Sequence, residues 1–177
     1  IYTIRQIGMP KVEALKELVR EKSGIDIDIH NERVVDQIRS PGSYFFLLTD
    51  TMASRREIFE KCLKGRAFNT DLVIETRMDA DNGRVLAFNP NQPNQVKDWE
   101  STLYSDEEAT TSLCGASISI APTVNVLASL AVWRLIHHFD VKYGPNHTKK
   151  RGKEEALDND FAFQLGPEEI EKRKFKI

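Results

Sequence analysis

The run Tyr44–Thr49, Tyr-Phe-Phe-Leu-Leu-Thr, has no polar alternation and breaks directly into Asp50-Thr-Met-Ala-Ser-Arg55. A strand without alternation is buried on both faces, as in a parallel sheet covered by helices. After it, between Ala53 and Ala67, Ile58, Phe59, Cys62 and Leu63 recur at helical spacing. Asp50 therefore falls at a strand-to-helix switch. Open α/β sheets carry their ligand chemistry at the carboxyl ends of such strands. A carboxylate there can meet a metal or a phosphate, or it can N-cap the helix that follows.

Around this junction, helical and strand patterns follow one another. Pro10 to Lys22 reads as an amphipathic helix, with Pro10 in its first turn and Val12, Leu15, Leu18 and Val19 on its apolar face. Ser23-Gly24 ends it. Ile25-Asp-Ile-Asp-Ile29 alternates strictly and predicts a half-buried strand. Glu32 to Arg39 predicts a short helix, and Pro41-Gly42 a turn. Asp71 to Met78 and Arg84 to Phe88 read as two strands of a hairpin, joined by the turn Asp79-Ala-Asp-Asn-Gly83. Asn89 to Asn94 reads as a loop, and Trp99 to Tyr104 as a short helix packing its aromatics on the core. Asp106 to Ser112 is a polar crossover, and a long apolar helix is predicted from about Ala121 to Phe139. Phe161, Phe163 and Leu165 suggest one more strand, and Glu168 to Lys174 a closing helix. The basic run Lys149, Lys150, Arg151 and Lys153 reads as a solvated loop. The order is that of an α/β layer fold, expected to have a mostly parallel sheet, a hairpin and the long helix. The domain is expected over residues 1–142 and a tail or appendage over 143–177.

Bulk properties narrow the function. Among 177 residues, 25 Lys and Arg against 27 Asp and Glu leave a net charge of −2, with no sign of a dedicated nucleic-acid binder. Cys62 and Cys114 are the only cysteines, and they form no Cys-x-x-Cys pair. Neither a zinc site nor a disulfide framework is expected, and a reducing cytoplasm is the expected compartment. Ile118 to Ile136 is about long enough to cross a bilayer if fully helical. Asn125 and Arg134 within it are costly in lipid, so a buried helix is expected and no membrane partner. The stretch from Ile1 does not read as a signal peptide, and the chain is expected to enter in mid-element, with its true N-terminus upstream.

Four segments together resemble the ThiF/MoeB/HesA family, the adenylating enzymes related to ubiquitin-activating enzymes. Ile7-Gly-Met-Pro-Lys-Val-Glu-Ala-Leu15 is similar to the family's Gly-x-Pro-Lys-Val-Glu segment. Asp50 followed by Arg55 matches its Asp-(Asn)-x-x-x-Arg pattern, and Arg55, Ile58 and Cys62 repeat its spacing along the next helix. Ser112-Leu-Cys-Gly-Ala-Ser-Ile-Ser-Ile-Ala-Pro-Thr-Val resembles the crossover that carries the family's cysteine. The order and spacing hold over residues of about 4–139, and the Arg77-Met78 strand with Tyr104 and Cys114 looks closest to the bacterial and phage ThiF-like branch. The resemblance implies the later portion of a Rossmann-like, three-layer adenylation domain. It also implies ATP and Mg²⁺ as cofactors, a ubiquitin-like or sulfur-carrier protein as partner, and a homodimer. The family binds ATP on a Gly-x-Gly-x-x-Gly loop, and the nine glycines here never fall in that spacing. That loop, an acidic ribose-binding residue and an Asn-Leu-x-Arg-Gln segment are expected upstream of Ile1, in a longer enzyme.

The resemblance gives roles to residues that the sequence leaves open. Lys11 stands at a helix start, where backbone N–H groups favour anions, and is either a phosphate ligand or a solvated lysine. Asp50 would hold Mg²⁺ against the triphosphate, or else cap the helix. Attack by a carboxylate on ATP is anion on anion, so neutralisation by lysine and metal is the main physical demand. Arg55 lies one turn inside the same helix, where it could reach phosphate or pair with Asp50 and hold its rotamer. Cys114 precedes a helix in a polar crossover, where a thiol's pKa can fall. The resemblance implies a nucleophile that takes over the acyl group, and the alternative is a small buried hydrophobe. Cys62, on an apolar helical face, reads as core. His137 and His138 are expected to end the long helix, where imidazolium suits the helix dipole. Arg77, in a buried strand, is expected to pair with an acid or a partner subunit. Two functions follow from this reading. One is an ATP-dependent adenylyltransferase within the longer chain, the isolated fragment being inactive. The other is a non-catalytic ThiF-like scaffold with the long helix as dimer interface.

Overall fold

In the computed structural model, residues 3–37, 41–79, 81–106, 121–144 and 160–164 are described. The chain divides into two units, Ile1–Ile38 and Arg39–Ile177.

The first unit is helical. Helix α1 spans Lys11–Ser23. Pro10 stands just before it, at the cap rather than in the first turn, and its carbonyl accepts from the N–H groups of Glu13 and Ala14 at 3.1 and 3.0 Å. Gly24 closes the helix with a left-handed backbone, φ 72°, a conformation that favours glycine. Ala14 and Leu18 are the buried residues of α1, one helical turn apart. Leu15, expected on the inner face, points away from that line and is exposed. The strand expected over Ile25–Ile29 is absent. Alternation makes a strand only where a partner takes up the backbone hydrogen bonds, and no described strand pairs with this segment. A short helix, α2, spans Val34–Gln37.

The second unit holds β1 (Tyr44–Leu47), α3 (Met52–Ile58), β2 (Leu72–Met78), β3 (Asn82–Phe88), α4 (Pro93–Glu100), α5 (Ala121–Tyr143) and β4 (Asp160–Gln164). The sheet order is β1-β2-β3-β4. β1 and β2 are parallel, Tyr44 opposite Leu72, because a helical crossover separates them. β2 and β3 are joined too tightly for a crossover, and pair antiparallel with Val73 opposite Phe88. β4 also runs antiparallel to β3, Val85 opposite Phe161. The α/β class is as expected, but the mostly parallel sheet is not. Only the β1–β2 ladder is parallel among the described strands.

Side chains of β2 and β3 alternate between two faces. Leu72, Ile74, Val85 and Ala87 pack against Leu127 and Ala131 of α5. On the other face Phe88 stacks on Trp99 of α4 at 4.9 Å between ring centroids, and Phe59 tilts against Trp99 at 4.7 Å. The result is three layers, with α5 on one side of the sheet and α3 and α4 on the other. α3 does not run to Ala67 as one regular helix. It widens into a π-turn, Phe59–Leu63, where the Lys64 N–H donates to the Phe59 carbonyl at 2.8 Å. That turn brings Phe59, Cys62 and Leu63 all inward. Gly83, expected in the turn, lies in β3 instead. A Cβ there would come within 2.7 Å of the Phe163 ring and 3.1 Å of Leu127, so close approach requires glycine at this position. α4 starts at Pro93, upstream of the helix expected at Trp99, since proline suits the first helical position.

The long apolar helix is corrected in character. α5 has 23 residues, but only Thr123, Leu127 and Ala131 are buried. Asn125, Ser129, Arg134, Asp140 and Lys142 interrupt it, and among the described residues no helix is long and apolar enough to cross a membrane. A helix on the outside of a sheet buries one stripe, and the rest of its surface faces outward. His137 and His138 do not end it. The helix continues to Tyr143, where Lys142 pairs with Asp71 at 2.6 Å. Cys114, the crossover beyond Asp106, the basic run 149–153 and the expected closing helix lie outside the described residues.

Candidate functional site

β1 delivers the chain to Thr49 and Asp50, and α3 begins two residues later. The cap of α3 is Thr51, whose hydroxyl oxygen accepts from the Ser54 N–H at 3.1 Å. The next orphan donors are taken by Asp106. Its Oδ1 accepts from the Met52 N–H at 2.5 Å and its Oδ2 from the Ala53 N–H at 3.1 Å. A carboxylate at this end also suits the helix dipole. The capping alternative for Asp50 is therefore corrected: Thr51 and Asp106 do that work. Asp50 itself is exposed and makes no hydrogen bond or ion pair with the described residues. Beside it the Thr49 hydroxyl is buried without a partner.

Beneath this turn lies a buried polar cluster that the sequence reading did not assemble. Its centre is Glu75 of β2, with 0% of its surface exposed. Arg55 reaches it from α3, Nε standing 2.8 Å from Oε1 as an ion pair whose N–H is not aimed at that oxygen. Arg77, two residues along the same strand face, donates from Nε to Oε1 at 2.5 Å and from Nη2 to Oε2 at 3.2 Å. The Trp99 indole N–H donates to Oε2. Arg77 continues to Thr102, giving its Nη1 to the carbonyl at 2.7 Å and its Nη2 to the hydroxyl at 2.9 Å. Arg55 Nη2 donates to the Thr49 carbonyl at 2.5 Å and the Thr76 carbonyl at 3.1 Å. Burial pulls the Arg55 guanidinium below its ordinary value, and the charge of Glu75 opposes that pull.

Of the site residues expected from sequence, all but Cys114 fall among the described residues. Arg55 does pair with an acid, but the acid is Glu75, and Asp50 acts on it only through its charge. Arg77 pairs with an acid as expected. Lys11 is the first residue of α1, exposed, and belongs to the first unit. Cys62 is buried in the core, where desolvation raises its thiol above the ordinary value. Cys114 lies outside the described residues. Glu75, Trp99, Thr102 and Asp106 were not anticipated as part of this region. For Glu75 a signal existed: a charge inside the apolar run Leu72-Val-Ile-Glu, with Arg77 two residues on and so on the same face.

The second unit is thus a three-layer α/β fold with an exposed carboxylate at the carboxyl end of a parallel strand, the edge at which open α/β sheets carry their ligand chemistry. Residues 1–168 match the model of the ThiF family, and the chain belongs to the ThiF family. Its members are adenylating enzymes that generally use ATP and act on ubiquitin-like or sulfur-carrier proteins. No curated protein and no solved structure matches the chain.

Proposed function

We propose that this chain forms part of an ATP-dependent adenylyltransferase that activates the C-terminal carboxylate of a ubiquitin-like or sulfur-carrier protein. The observation that carries this reading is Asp50: an exposed carboxylate at the carboxyl end of β1, relieved of capping by Thr51 and Asp106. An exposed, unengaged carboxylate at a strand end fits Mg²⁺, which is commonly held by one or two carboxylates plus substrate phosphates. Among the described residues no group of three His, Cys, Asp or Glu side chains gathers as a metal cage, so the phosphates would complete the shell. When bound, the ion neutralises charge on the triphosphate. Lys11 is assigned as a phosphate ligand on its place at the start of α1, where backbone N–H groups add to its charge. Arg55 is assigned to hold the turn rather than to touch substrate, since its guanidinium is engaged by Glu75 and two carbonyls. Cys114 is assigned as the acyl acceptor after adenylation.

The test is carrier-dependent pyrophosphate release by the intact protein with ATP. Release is expected with a carrier bearing a free C-terminal carboxylate, and none with the same carrier amidated there. Equal release with both would overturn the assignment.

The second reading, a scaffold that associates with its own copy, has one observation in its favour. The outward side of α5 exposes Val132, Trp133 and Ile136, with Trp133 at 63%. Homodimerisation through this side is compatible with the enzymatic reading.

A further inference from the structure

We propose that Glu75 is a positioning residue for Asp50, acting through Arg55; this rests on the reading of Asp50 as the metal-holding carboxylate. Glu75 is fully buried and surrounded by apolar side chains of its own sheet face, Val73, Leu86 and Phe88. A buried ion pair at such a place is poor evidence of a stabilising role, because apolar residues of similar volume often serve stability as well or better. What the carboxylate does accomplish is geometric. It fixes the guanidinium of Arg55, and the far nitrogen of that guanidinium holds the Thr49 carbonyl at 2.5 Å. Thr49 immediately precedes Asp50. From the other side, Asp106 holds the Met52 and Ala53 N–H groups, and Thr51 caps Ser54. The backbone is thus tied on both sides of Asp50, and the Asp50 side chain is the part of the turn left exposed. Ligating carboxylates depend on such supporting contacts for their direction, and losing one commonly costs 10–100-fold in metal affinity.

Glu75 also ties this turn to the segment that precedes the crossover. It takes the Trp99 N–H from α4, and Arg77, fixed by the same carboxylate, holds Thr102. Arg56 adds a bond to the Tyr104 carbonyl at 3.1 Å. The β1–α3 turn and the Thr102–Asp106 segment are therefore held by one network with Glu75 at its centre.

The test uses the intact protein with Mn·ATP in place of Mg·ATP, protein-bound Mn²⁺ being read by water-proton relaxation enhancement, and thermal melts run alongside. Glu75→Gln keeps the shape but drops the charge that fixes Arg55. Arg55→Lys keeps a charge for Glu75 but loses the fork that reaches Thr49. Each is expected to weaken Mn²⁺ binding by about 10-fold or more. Leu127→Ala, on the opposite sheet face, is expected to lower the melting temperature and leave Mn²⁺ binding unchanged. Asp50→Asn is expected to lose the binding altogether. If Asp50→Asn loses binding while Glu75→Gln and Arg55→Lys bind as the parent does, the positioning role is wrong and the Asp50 reading stands. If Asp50→Asn also binds as the parent does, both fall. An equal loss in Leu127→Ala would mark the effect as general destabilisation and overturn the proposal. Should Glu75→Gln fail to fold, Arg55→Lys decides by itself.

Discussion

Asp50 and Asp106 flank the same helix start, and their surroundings give them different tasks. Asp106 is committed to two backbone N–H groups. Asp50 has no such commitment among the described residues. Lys11 is likewise exposed at a helix start, so its removal should act on chemistry rather than on the fold. Lys11→Ala is expected to lower carrier-dependent pyrophosphate release by about 10²-fold, the usual cost of one charge-stabilising group, with an unchanged circular-dichroism melt. A parental rate in the folded variant would remove Lys11 from the site. Cys114→Ser should leave pyrophosphate exchange intact, because adenylation precedes transfer. It should abolish any thiol-sensitive adduct with the carrier, since a hydroxyl is the weaker nucleophile at neutral pH. Intact mass of the protein after incubation with carrier and ATP decides this, and an adduct persisting in the variant would make the cysteine structural. At this scale the sequence was legible in part. Asp50 declares itself because an apolar strand ends at it. Asp106 does not, because its partners lie 54 and 53 residues away and only the fold brings them together. Glu75 and Arg77 can be paired by strand alternation, but nothing local in sequence joins Arg55 to them.

The elements show where pattern reading holds and where it gives out. β1, β2 and β3 were legible because each is an apolar run bounded by turn residues. Sheet direction was not, because it depends on whether a connection crosses over or turns back. The strand expected at Ile25–Ile29 has the right alternation and no described partner, and alternation does not supply one. α5 was legible as a helix but not in its extent or its burial. Its histidines illustrate the difference. A helix C-terminus would favour imidazolium, yet His138 sits inside the helix, edge-on to Tyr44 at 5.8 Å between ring centroids. Burial, then the charge of Lys142, lowers its pKa from the ordinary 6.5. The folded protein therefore favours the neutral ring. The resulting stability is present above the ordinary value and is lost as pH falls from there toward the lowered one. The melting temperature is expected to drop as pH falls below the ordinary value of 6.5, and His138→Gln to flatten part of that drop. An identical pH profile in the variant would show that this ring does not contribute.

At the scale of the molecule, the three layers put the turn proposed to hold the metal and the helix side proposed for self-association on different faces of the second unit. The β1–α3 turn lies with α3 and α4, and the outward side of α5 lies across the sheet. Trp133→Asp on that outward side is expected to leave the melt unchanged and to reduce self-association by sedimentation velocity; an unchanged mass distribution of a dimer would exclude this face. Family and fold class were legible from a few spaced segments, and of these Asp50 to Arg55 falls where β1 ends and α3 begins. The proposed activity rests on Asp50. Its most direct test is carrier-dependent ATP–pyrophosphate exchange by the intact protein and by Asp50→Ala. Removing a metal-holding carboxylate should lower exchange by about 10²-fold or more while the melt stays in place. Exchange at the parental rate in folded Asp50→Ala would contradict the account.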